Sequence, residues 1–207
     1  MIFVQIMGIV IEGEMVYNKK KRKVKNMDAA RNIEFFTVDD IYALPEGVRA
    51  ELIDGQIYDM ASPGRIHQQI LLILSRKIAD YIDARHGECE VDIAPFAVFL
   101  NNDNRNYLEP DISVICDKSK LDDRGCNGAP DWIIEIVSPS SRTMDYYRKL
   151  FKYRNSGVRE YWVVDPEKKI ITVYNFVKDT MEEYGFGEQV PVSIYQGFSL
   201  EIPDLLP

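Results

Sequence analysis

The sequence predicts an α/β (α+β) domain, a mixed β-sheet core flanked by helices, and three observations lead there. Short β-branched apolar runs at 112–115, 132–137 and 161–164 are bounded by turn formers and read as buried strands. Stretches with 3.6-residue apolar spacing lie between them. Strands are followed by helices and then more strands, with no internal repeat or low-complexity segment, which suggests a mixed sheet with helices packed on it. The 207 residues, 46% hydrophobic and 11% aromatic, suit one domain with an appendage and can fill a sizeable core.

That appendage is residues 1–33, ahead of a domain at 34–207. Positions 19–25 hold six of the 25 basic residues, and only three of the 33 acidic ones lie in 1–30, so the remainder carries −11 against −8 for the whole. Such a run reads as a flexible tail, with Met27 an alternative start. A nucleic-acid arm or a nuclear localisation signal are its other readings. The acidic balance argues against a simple DNA-binding surface, which needs clustered Lys and Arg, although a local basic stripe or metals would serve. No run is long enough to span a membrane and no secretory signal is expected, so the protein is expected in the cytoplasm with no membrane partner. Three cysteines, Cys89, Cys116 and Cys126, without a CxxC pair predict reduced thiols and no zinc site.

From residue 35 the elements follow in order. Thr37 caps a short helix ending at Leu44, before Pro45 and Gly47. Asp54-Gly55, set between apolar pairs, predicts a hairpin with a two-residue turn, and Glu51 stands at its entry. Ser62-Pro63 opens a helix with Ile66, Ile70, Ile73, Leu74, Ile78, Tyr81 and Ile82 on one side, closed by Gly87. His67 lies in its first turn beside the stripe, where a hydrogen-bonded structural histidine is the commoner reading than a catalytic one. A strand at 91–100, a polar turn at 101–106, the Asp111 strand, a loop at 122–130 and the Glu135 strand come next. Side-chain alternation puts Glu135 and Val137 on one face, Ile134 and Ile136 on the other. A helix then runs from the Ser138–Ser141 cap to about Asn155, with Gly157 as its stop. Asp145, Lys149 and Tyr153, spaced i, i+4, i+8, lie close to one face of it. Its surroundings are basic (Arg142, Arg148, Lys149, Lys152, Arg154, Arg159), which fits a solvated face or a phosphate-facing one equally. Strands at 160–164 and 170–176 follow, and the rest reads as edge strands and a tail.

Asp111 and Glu135 each interrupt an apolar strand. A carboxylate there costs several kcal/mol unless it is paired, hydrogen-bonded or bound to a cation. A lone one is commonly a structural acceptor. Two in neighbouring strands suggest a shared partner, and a divalent metal is the simplest. There is no GxGxxG, Walker or GxSxG motif, and His67 and His86 are too few for a histidine-rich centre. Chemistry carried by carboxylates and lysine remains.

The segments Glu-Leu-Ile-Asp-Gly (51–55), Glu-Pro-Asp-Ile-Ser-Val-Ile (109–115) and Pro-Asp-Trp-Ile-Ile-Glu-Ile-Val-Ser-Pro-Ser (130–140) appear in that order. Asp145, Lys149 and Tyr153 follow at four-residue steps, then Gly-Val-Arg-Glu-Tyr-Trp-Val-Val-Asp-Pro (157–166). Together they resemble the Uma-type restriction endonucleases of the PD-(D/E)xK nuclease superfamily, over about residues 35–200. The resemblance implies a restriction-endonuclease-like fold and a Mg²⁺-dependent phosphodiesterase, with Mn²⁺ as substitute. By motif, Asp111 and Glu135 are the expected catalytic metal ligands, with Glu51 the expected N-terminal glutamate. The superfamily lysine would stand at 137, which is Val137; Lys149 on the next helix fits the role, Lys152 is the fallback, and Tyr153, Asp145 and His67 are candidate supports. The expected activity is endonucleolytic hydrolysis of nucleic acid, DNA first, by a homodimer where both strands are cut. The alternatives are a catalytically degraded nuclease fold serving as a binding or scaffold protein, and a metal-dependent hydrolase of a smaller phosphoester.

Overall fold

The computed structural model describes residues 8–11, 14–17, 35–139 and 141–204, in two compact units divided at Phe35/Phe36. In the first, β1 (Gly8–Ile11) and β2 (Glu14–Tyr17) pair antiparallel. The basic run at 19–25, and its expected flexibility, lie outside the described residues.

The second unit begins with α1 (Val38–Tyr42), where Thr37 and Asp40 exchange side-chain and backbone hydrogen bonds in a capping box. The hairpin β3 (Ala50–Ile53) and β4 (Gln56–Asp59) turns at Asp54 and Gly55, with φ of 51° and 77°, the two positive values a type I′ turn requires. Helix α2 (Arg65–Ala84) begins at Gly64 rather than at Ser62-Pro63, and Gly87 N–H closes it onto the Ile82 carbonyl at 2.9 Å. It buries Ile70, Leu71, Leu74, Ile78 and Ile82. The strand expected over 91–100 is two strands, β5 (Glu90–Ile93) and β6 (Val98–Phe99), because Pro95 has no N–H with which to continue a ladder.

Next come β7 (Ile112–Ile115), β8 (Leu121–Asp122), β9 (Gly125–Asn127) and β10 (Trp132–Ile136). The stretch read as a loop holds the short β8–β9 pair, which joins β6 in a small sheet. A π-helical segment, Met144–Lys149, runs into α3 (Leu150–Ser156), and Gly157 ends it at φ 97°. Finally there are β11 (Glu160–Asp165), β12 (Ile170–Asn175), β13 (Thr180–Gly185), β14 (Val190–Pro191) and β15 (Ser199–Leu200).

Six strands form the main sheet in the order β13-β12-β11-β10-β7-β5. Only β10 and β11 are parallel, joined by the π/α3 helix as a crossover; every other neighbour is antiparallel. Strand β13 stands at the edge of the sheet, in keeping with the edge strands expected after residue 176, and packs Tyr184 against the core. Trp132, Ile134, Ile136 and Trp162 share a core with α2, whereas Ile133, Val137, Tyr161 and Val163 share one with Tyr153 of α3. Each fully buried aliphatic side chain contributes about 1.5–3 kcal/mol, so the sheet is held from both faces.

Cys89 and Cys116 are joined in a disulfide, which corrects the expectation of three reduced thiols; Cys126 alone is free and is buried. The cause is register. Glu90 opposes Ile115 in the β5–β7 ladder, so the next residues outward face each other. Among the described residues no helix is long and apolar enough to cross a membrane.

Candidate active site

Five of the residues singled out by the sequence meet in one buried cluster. Lys149 Nζ lies 2.9 Å from Glu51 Oε2, 3.0 Å from Glu135 Oε1 and 3.6 Å from Asp145 Oδ1. Tyr153 donates from its hydroxyl to Glu135 Oε1 at 2.7 Å. All five side chains are buried. Each element contributes through its own period: alternation on β10 turns Glu135 towards the α3 face, and the helix brings Asp145, Lys149 and Tyr153 inward at successive turns. Glu51 comes from β3, outside the main sheet, and is fixed there by accepting the Glu109 backbone N–H at 3.0 Å.

Three carboxylates around one ammonium leave a surplus of negative charge where water cannot screen it. Burial pushes Glu135 well above the usual carboxylate range; Lys149 opposes this, and Asp145, Asp111 and Glu51 add to it. Asp145 moves the same way, again mainly by burial. Burial alone would lower Lys149, but Glu135, Glu51 and Asp145 together hold it well above its ordinary value, so it stays charged. Burial, then the charge of Glu135, raises Tyr153, which remains a phenol donor.

Asp111 stands at the entry to β7, beside this cluster. It accepts the backbone N–H of Ile136, the neighbour of Glu135, at 2.7 Å. His67 Nε2 lies 3.1 Å from both of its carboxylate oxygens. The two strand carboxylates thus do not share one partner: Asp111 has a backbone amide and an imidazole, and Glu135 has an ammonium and a phenol. Lys152 is apart from the cluster and pairs with Asp54 in the β3–β4 turn. Val137 packs in the core on the Glu135 face.

Several partners were not legible beforehand. Glu109 is held by Arg49, with Nε 3.2 Å from Oε2, and by the Tyr107 hydroxyl at 2.8 Å, so its backbone amide presents to Glu51 at a fixed place. The buried Asp165 pairs with Arg142 at 3.2 Å, and the buried Glu160 accepts from Trp162 Nε1 at 2.7 Å and Ile194 N–H at 3.0 Å. A carboxylate inside an apolar strand was the available signal for Glu160.

Among the described residues no three His, Cys, Asp or Glu side chains converge as a ready-made metal cage. Mg²⁺ ordinarily needs only one or two protein carboxylates, with water and phosphate oxygens completing its shell. Asp111 and Glu135 are hard donors near enough for the charge of one to act on the other, and the excess of carboxylates over ammonium is the charge a divalent cation offsets. The donor set fits that ion.

Residues 38–203 match the Uma2 family, described as "Putative restriction endonuclease". The chain belongs to the Uma2 family. A protein of Synechocystis sp. (strain ATCC 27184 / PCC 6803 / Kazusa), "Uncharacterized protein slr1290", is 29% identical over 126 residues. That match covers 60% of this chain and 65% of the relative, so less than two thirds of the relative's length is spanned. The crystal structure of "a putative nuclease belonging to DUF820" from Anabaena variabilis ATCC 29413 superimposes with a TM-score of 0.63 at 24% identity, over 80% of this chain and 94% of that one. This last likeness is one of fold. The Uma2 chain therefore has a mixed α+β architecture similar to that of the Anabaena variabilis structure, with the buried cluster on one face of its sheet.

Proposed function

We propose that this Uma2 protein is a Mg²⁺-dependent endonuclease that hydrolyses phosphodiester bonds of nucleic acid, DNA foremost. The observation that carries the reading is the charged Lys149, buried among Glu51, Glu135 and Asp145, with Asp111 alongside.

In this reading Asp111 and Glu135 hold the metal. When bound, Mg²⁺ supplies positive charge that offsets the charge building on the phosphate and makes water more acidic. Lys149 donates to a phosphate oxygen, and its four-carbon stem lets the ammonium turn from Glu51 towards the substrate. Glu51 and Asp145 keep that ammonium charged, and Tyr153 fixes the orientation of Glu135. His67 and the Ile136 amide orient Asp111. A homodimer in the cytoplasm belongs to the same proposal for a duplex substrate, since nucleases that cut both strands often pair two sites.

The test is cleavage of plasmid and of labelled oligonucleotides by the full chain, with Mg²⁺ and with chelator. Cleavage that needs Mg²⁺ and disappears in Glu135→Ala and Asp111→Ala, both still folded by circular dichroism, supports the proposal. Cleavage retained in either variant overturns it. Sedimentation equilibrium reads the dimer, and fractionation of expressing cells reads the compartment.

A further inference from the structure

The helix that turns Lys149 inward turns two large aromatic rings outward. Tyr147 and Phe151 are 71% and 68% exposed, although a phenyl or phenol ring in water forgoes the burial that folding normally gives it. They are spaced i, i+4 along the π/α3 helix, alternating with Arg148 and Lys152, also i, i+4. Arg148 donates to the Tyr58 hydroxyl and lies 5.3 Å from the centre of the Tyr58 ring. Tyr58 is the direct cross-strand partner of Glu51, so Arg148 links this ledge to the hairpin face that carries Glu51, while Tyr147 and Phe151, two residues either side of Lys149, stand on the opposite side of the helix from the cluster.

The charges separate this face from the rest of the basic helix. Arg142 pairs with Asp165 and Glu167, Arg154 with Asp179, and Arg159 with Asp131. Among the described residues no carboxylate pairs with Arg148, and Lys152 meets only the exposed Asp54. The ledge therefore offers exposed rings with an uncompensated guanidinium beside them, on a domain whose net charge is strongly negative.

We propose that Tyr147, Phe151 and Arg148 form a stacking ledge for unpaired bases on the outer side of this helix, so that the strand reaching Lys149 and Glu135 is single-stranded or locally unpaired nucleic acid. This rests on the nuclease reading above. In a duplex the faces of the bases are covered by their neighbours, and only an unstacked base can lie on an aromatic ring. Stacking also supplies affinity that an acidic domain draws poorly from phosphate contacts, whereas duplex binding depends heavily on such contacts.

The experiment measures fluorescence anisotropy of a labelled oligonucleotide, single-stranded and as the matched duplex, with Ca²⁺ present, alongside cleavage of both forms with Mg²⁺. The proteins are wild type, Tyr147→Ala/Phe151→Ala, Phe151→Leu and Phe151→Trp, all of them changes at exposed positions. The proposal expects single strand to bind at least tenfold tighter than duplex, and each lost ring to weaken it by about tenfold. Phe151→Leu, which keeps the apolar surface and loses one stacking face, should show the tenfold loss of a single ring; Phe151→Trp should keep wild-type binding. Duplex cleavage that needs Glu135 but ignores the ring changes would overturn this inference and leave the nuclease reading standing. If neither form is bound or cut, the nuclease reading falls and this inference with it. A dimer that the double alanine variant converts to monomer, with nucleic-acid affinity unchanged, would make the face a copy-to-copy contact and overturn the proposal as well.

Discussion

Each face of the central sheet buries a glutamate, and the two are served in opposite ways. On the α2 face Glu160 accepts from the Trp162 indole and the Ile194 amide; burial raises its proton affinity, and these donors, with the Ser193 amide and the charge of Arg159, all oppose the rise. On the α3 face Glu135 meets the Lys149 ammonium and the Tyr153 phenol, with Asp111, Asp145 and Glu51 all raising its proton affinity. The first arrangement closes a core. The second keeps surplus negative charge in low dielectric, where a hydrophobic replacement of similar volume would often be as stable or more so. Cost without structural return is what is expected of a site shaped for something it binds.

The largest expected difference between the two faces is in activity. Glu135→Ala should reduce cleavage to background, and Glu160→Gln should leave the rate per folded molecule within about twofold while lowering the melting temperature. Loss of one partner of the buried Glu160 network costs about 1–3 kcal/mol. Single-turnover cleavage together with thermal melts of both variants reads both effects at once.

Lys149→Met comes next. It removes the ammonium that lies among three buried carboxylates, so about 3–5 kcal/mol of stability should go with it. Cleavage should fall by about 10²–10³, the usual consequence of losing one charge-stabilising donor. The stability should partly return on acidification, because protonating Glu135 and Asp145 relieves the repulsion. A variant as stable as wild type at neutral pH would show that the cluster is not short of positive charge.

The pH dependence of stability sharpens the contrast further. The folded-state pKa of Glu135 is raised above its ordinary value of 4.5, so its contribution to stability is complete below that pH and is lost as pH rises towards the raised value. Asp145 and Glu160 are raised too and act in the same direction. Melting temperature should therefore decline from mildly acid to neutral pH on their account. Mg²⁺ should remove the Glu135 share of that decline and leave the Glu160 share untouched. Comparing Glu135→Gln and Glu160→Gln, each with and without the ion, separates the two.

The smallest expected effect is that of Tyr153→Phe, which removes one hydrogen bond to Glu135, worth about 1 kcal/mol. Its signature is a shifted pH–rate profile with the fold retained, which packing alone would not produce.

Much of this could be read along the chain because it follows local periods. The Asp54-Gly55 turn, the alternation through Glu135, and the four-residue steps of Asp145, Lys149 and Tyr153 depend only on near neighbours. What escaped depends on pairing across long separations. Arg49 and Glu109, 60 residues apart, fix the amide that holds Glu51, and Cys89 meets Cys116 only through the β5–β7 register. Pro95 divides a run whose composition read as continuous. That Lys149 would be surrounded by carboxylates rather than facing outward was likewise a tertiary fact, since the basic run around it suited either orientation.

The central claim is that Asp111 and Glu135 constitute a divalent-cation site that the Lys149 cluster completes. Calorimetric titration of Mg²⁺ into the full chain, and into Asp111→Ala and Glu135→Ala, tests it directly, with an oligonucleotide present so that phosphate oxygens can complete the shell. The account predicts saturable binding in wild type that both substitutions abolish, and binding that tightens as pH rises and the carboxylates ionise. No binding with the oligonucleotide present, or equal binding in the variants, would contradict it and would return the cluster to the role of a costly structural core.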